Sequence, residues 1–145
     1  LGFFKMIEDP SISYEELDKV VKSKNLNYDL ETSDKRNFYG VLASLPPDRF
    51  TEEQWRSLTS IILDRSFETA IKQVSGVNGP DDKSAFGDAI RNQNVPLFKI
   101  FVEIKKRRPN YHFGDEKKSA LTINRKAGGN DEIKDILRKD GYFKN

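Results

Sequence analysis

Cysteine is absent from this chain, which rules out disulfides, thiolate metal sites and cysteine nucleophiles together. Histidine occurs once, at His112, so any imidazole chemistry would hang on a single ring without a metal-ligand partner at helical spacing. No apolar run approaches the roughly 18 residues of a membrane helix, and the reading is of a chain without membrane insertion. Charge of one predominant sign is also missing. The 25 basic residues nearly balance the 23 acidic ones, for a net charge of +2, so nucleic acid could be met only by a local patch. Glycine clusters only around Gly76–Gly79 and at Gly128-Gly129, with neither the phosphate-loop ending nor the strand-to-helix setting of a dinucleotide fingerprint. Leu1-Gly2-Phe3-Phe4 is too short for a signal core. The expectation is a cytoplasmic, monomeric piece excised from a longer protein.

The chain does contain helical stripes. Leu97, Ile100, Phe101 and Ile104 recur at i, i+3, i+4, i+7. Asn94 is placed to cap that helix, Pro96 suits its first turn, and Lys105 to Arg108 suit its last. Just upstream, 84–92 form a short helix with Phe86, Ala89 and Ile90 on one side. The pair then recurs. Residues 119–127 form a short helix, Gly128-Gly129 breaks it, and Asn130 caps a second with Ile133, Ile136 and Leu137. Gly141 takes the position just past its end. Between the pairs, Tyr111 and Phe113 alternate as in a hairpin. Farther upstream, Thr51-x-x-Gln54 and Ser13-x-x-Glu16 are capping boxes, and 38–45 reads as another short helix.

The spacings reveal repetition. Asn78 to Asn110 is 32 residues, Ser84 to Ser119 is 35 and Leu97 to Ile133 is 36. "KSAFGDAIRNQNVPLFKIFVE" and "KSALTINRKAGGNDEIKDILRKDG" resemble the ankyrin-repeat pattern of Thr-Pro-Leu-His-x-Ala followed by Gly-x-x-Glu-Ile-Val. The pattern is degenerate. Gly87, Thr122 and Tyr39 stand in the histidine position, Gln93 replaces a glycine, and Asn124-Arg125 replace small residues. Asn27 to Asn78 spans 51 residues, and the surplus lies in 46–49 and 67–74 as an insertion or an extra degenerate repeat.

The expected fold is therefore all-α: a solenoid of antiparallel helix pairs with hairpin-like tips. It divides into a capping pair at 1–26, a divergent repeat at 27–77, a repeat at 78–109 and a last repeat at 110–145. The resemblance implies a non-catalytic module that binds another protein on its concave face, and such degenerate arrays also resemble those of secreted bacterial effectors. On the family pattern, contacts would come from tip residues Asp82, Tyr111, His112, Phe113, Asp115, Glu116 and Lys117. Arg91, Asn92 and Lys126, at the ends of inner helices, would join them.

No catalytic residue, cofactor or metal ligand is expected. Adjacent carboxylates such as Glu52-Glu53 and Asp131-Glu132 fall at helix starts, where negative charge suits the helix dipole, and not across a cleft. The alternative readings are a nucleic-acid or phosphate-binding domain using Lys105 to Arg108, or a targeting or spacer domain of a larger enzyme.

Overall fold

A computed structural model describes residues 2–23, 36–76, 83–108 and 116–139, with the side chains of 22, 23 and 116–119 left aside. Among these residues the protein is entirely helical, with nine α-helices, one 3-10 turn and no strand. The helices are α1 (Gly2–Glu8), α2 (Tyr14–Ser23), α3 (Phe38–Ala43), α4 (Glu52–Leu63), α5 (Phe67–Ser75), α6 (Ala85–Arg91), α7 (Val95–Lys106), α8 (Glu116–Ala127) and α9 (Asp131–Lys139). The expected hairpin tips fall largely outside the described residues.

Local chemistry sets most helix starts. Thr51 accepts from the Gln54 amide while Gln54 reaches back to the Thr51 amide, a closed capping box that opens α4. Ser13 and Glu16 make the same exchange before α2. Asn94 accepts from the Leu97 amide and Asn130 from that of Ile133, as their positions predict. Asn37 and Ser84 cap α3 and α6 through the amides of Gly40 and Gly87. These caps set Gly40, and not Tyr39, opposite Gly87. Helix α8 begins three residues before the expected Ser119, so the backbone of Glu116 and Lys117 is helical and not part of a hairpin. Nothing in Glu116-Lys117-Lys118 resists helix formation, and an acidic residue suits a first turn.

Packing then orders the helices. Helix α1 meets α3, α3 meets α6, and α6 meets α8, while α4 meets α7 and α7 meets α9. The links α1 to α2, α6 to α7 and α8 to α9 join the two series. Helix α5, formed from the surplus residues, touches α3, α4, α6 and α7. One aromatic chain threads the core: Phe4 packs on Phe38 at 5.9 Å, Phe38 on Tyr39 at 6.0 Å, and Tyr39 on Phe101 at 5.4 Å. The whole expected α7 stripe, Leu97, Ile100, Phe101 and Ile104, is buried. A buried aromatic must satisfy its polar end, and the Tyr39 hydroxyl donates to the Thr59 carbonyl at 2.6 Å. Burial, then the nearby Asp64 charge, push the Tyr39 pKa upward, so the group stays a neutral donor.

Candidate functional site

The turns that follow α1, α3, α6 and α8 are stitched to one another by side chains. Arg49, in the turn after α3, donates to the carbonyls of Ile7, Asp9 and Ile12 at 3.2, 3.0 and 2.8 Å. Its planar guanidinium also lies 4.5 Å over the Phe50 ring. Asn92, just past α6, donates to the carbonyl of Ala43 at the end of α3, at 2.5 Å. Gln93 reaches the other way. Its Nε2 donates to Asn124 Oδ1 at 2.9 Å, and its Oε1 accepts from the Asn130 amide at 3.0 Å. Asn124 closes the circuit by donating to the Asn130 carbonyl at 3.0 Å. Gln93 holds a φ of 52°, the left-handed region where glycine is usual. The strain is offset by the bonds that its side chain makes from there.

This stitching fixes the ends of α3, α6 and α8 beside one another. Arg91 ends α6 half-buried, its guanidinium donating to Asp88 Oδ1 at 2.7 Å. Burial lifts the Asp88 carboxyl above its ordinary value, against the Arg91 hydrogen bond and the charges of Arg91, Lys83 and Arg36. Arg36 bridges Ser44 Oγ at 2.6 Å and Glu8 Oε2 at 3.2 Å, linking the ends of α1 and α3. Lys126 is exposed near the end of α8.

Of the ten residues expected to bind a partner, the structure brings Arg91, Asn92 and Lys126 to the ends of the neighbouring helices α6 and α8. Asn92 and Lys126 are exposed and Arg91 is half-buried, and the Asn92 amide is also engaged within the fold. Asp82, Tyr111, His112, Phe113 and Asp115 lie outside the described residues, as do the side chains of Glu116 and Lys117. Sequence reasoning missed Arg36, Asp88, Gln93 and Asn124 as participants. Nothing local to either of the last two signals the other, 31 residues away in the sequence.

Within the basic run 105–108, Lys106, Arg107 and Arg108 are exposed at the end of α7. Lys105 is buried at 3% exposure. Arg107 lies 4.3 Å over the Phe67 ring, and Arg108 lies over the same ring at 5.7 Å while pairing with Glu68. These contacts bind the end of α7 to α5. Among the described residues no group of His, Asp or Glu side chains could hold a metal ion. No helix among them is long and apolar enough to cross a membrane.

No protein-family model, no curated protein and no solved structure matches the chain.

Proposed function

We propose that the chain is a protein-protein interaction module, built as an ankyrin-like array of helix pairs and without catalytic activity. The observation that carries this reading is the hydrogen-bonded relay along the helix ends, from Ala43 through Asn92 and Gln93 to Asn124 and Asn130. Such a relay holds successive turns in register, and it supports a surface that presents side chains from several units to one extended partner. On this reading the inner series is α1, α3, α6 and α8, the outer series is α2, α4, α7 and α9, and α5 is an inserted helix at one boundary. The binding face runs along the inner series and its tips, with Arg91 as an anchor. A guanidinium braced by Asp88 loses less freedom on binding than an unbraced one, and arginine is enriched among interface anchors.

The test is a double substitution, His112→Ala with Arg91→Glu, in the folded protein. A partner is first captured from lysate, and its purified form is then titrated against both proteins. Affinity should fall by about tenfold or more. Unchanged affinity with a native circular-dichroism spectrum would remove the inner face from consideration.

A further inference from the structure

Cations collect along one edge formed by helix ends. Arg36 precedes α3, yet its guanidinium reaches along that short helix to Ser44 Oγ, just past its end, at 2.6 Å. Arg91 lies in the last turn of α6, and Arg125 and Lys126 lie in the last turn of α8. The side-chain relay sets these ends side by side, since Asn92 is bonded to Ala43 and Gln93 to Asn124. Two carboxylates answer them, Glu8 to Arg36 at 3.2 Å and Asp88 to Arg91 at 2.7 Å. The charges of Lys83 and Arg36 act on Asp88 as well. Five cations thus stand near two carboxylates. Two seams of the other series are matched one to one, Arg56 with Glu103 between α4 and α7, and Lys99 with Glu132 between α7 and α9. A helix dipole favours cations in the last turn, which accounts for Arg91, Arg125 and Lys126. It does not account for Arg36, which comes to this edge from the opposite end of its helix.

We propose that this edge, from Arg36 through Arg91 to Lys126, is a docking strip for an extended acidic segment of a partner protein. The acidic partner presupposes the inner-face interaction proposed above and gives it a chemistry. Packed neighbouring helices lie about 8 to 10 Å apart, and an extended chain rises about 3.4 Å per residue. Carboxylates at every second or third residue can therefore meet successive helix ends. The planar fork of an arginine takes a carboxylate through two parallel hydrogen bonds. Arg36 and Arg91 are half-buried and held in place by Glu8 and Asp88, so they lose less freedom on binding. A peptide can also set uncharged residues opposite Glu8 and Asp88. A nucleic-acid strand carries a phosphate at every nucleotide and would meet those carboxylates with like charge.

The probe is a labelled peptide of alternating glutamate and serine, with an alternating lysine and serine peptide and oligothymidylate as comparisons. The acidic peptide should bind at low ionic strength and weaken as salt is added. The amide resonances it shifts should be those of 36, 44, 91–92 and 124–127. Arg91→Gln with Lys126→Gln should lower its affinity by about tenfold or more, with a native circular-dichroism spectrum. Lys72→Gln with Lys139→Gln removes the same charge from exposed positions on α5 and α9 and should lower the affinity far less. The proposal is overturned if the acidic peptide fails to bind, if the two double variants lose affinity alike, or if the shifts lie elsewhere. It is also overturned if oligothymidylate binds the same edge more tightly. The partner captured from lysate keeps the two proposals apart. If His112→Ala with Arg91→Glu weakens that partner while the acidic peptide does not bind, the inner face stands and the acidic segment falls. Failure of the inner face itself reads differently, as unchanged affinity of that partner.

Discussion

Gln93 Nε2 and Asn124 Oδ1 meet at 2.9 Å, joining the turn after α6 to helix α8 of the next pair. Each of these side chains gives the other its partner. The two substitutions should therefore be coupled. Gln93→Ala and Asn124→Ala should each destabilise, and the double variant should lose less than the sum of the two, with an interaction of about 0.5 to 3 kcal/mol in denaturant unfolding. Gln93→Gly separates the bond from the backbone strain. It loses the bond but accepts the φ of 52° without cost, so it should be more stable than Gln93→Ala by about 1 kcal/mol. Equal stability of Gly and Ala at this position would refute the strain argument.

Phe101 has no exposed surface and packs on Tyr39 at 5.4 Å. Its truncation to Ala should cost about 3 to 5 kcal/mol in urea unfolding. A loss below about 1 kcal/mol would mean that the core can collapse around the missing ring to an extent that cores rarely permit.

Arg49 should tolerate no conservative replacement. A lysine ammonium cannot reproduce the fork that reaches the three carbonyls or the planar contact with Phe50. Arg49→Lys should therefore destabilise by about 1.5 to 3 kcal/mol, comparable to losing a charged hydrogen bond. Arg125→Lys, on an exposed side chain of α8, is the control.

Asp88 has a pKa raised chiefly by burial, so ionising it costs the folded state more than the unfolded chain. Stability falls as pH rises from the ordinary carboxylate value through the raised one, and the full penalty is present at neutral pH. Asp88→Asn should thus be at least as stable as the native chain at neutral pH, with its advantage fading as the pH falls from the raised value to the ordinary carboxylate value and absent below that. Thermal unfolding of both proteins across that range checks the sign.

Helix starts were the most legible part of the sequence. Thr51 with Gln54, Ser13 with Glu16, Asn94 and Asn130 act through chemistry confined to three or four neighbouring residues, and all four caps form. The apolar stripe of α7 was equally readable, because its period carries its own direction. The start of α8 was not, since Glu116 to Ser119 suit either a turn or a first helical turn. Partnerships between distant residues were least legible. Nothing local to Gln93 says that Asn124, 31 residues on, will meet it. Likewise, nothing local to Arg107 and Arg108, exposed at the end of α7, says that Phe67 and Glu68 will lie beside them.

Helix α5 bears on how the molecule comes apart. When each unit touches only its neighbours, unfolding can begin at any boundary and leave the remainder intact. On the division into units proposed above, helix α5 contacts α3 and α4 on one side of such a boundary and α6 and α7 on the other, and Gln73 within it accepts from the Tyr39 amide at 3.1 Å. Arg107 and Arg108 fasten its first turn to the end of α7. Loosening that boundary requires releasing α5 from four helices at once. The stretch from α3 to α7 should therefore melt as one cooperative block, its amides exchanging with solvent at a common rate, while α1–α2 and α8–α9 open earlier and on their own.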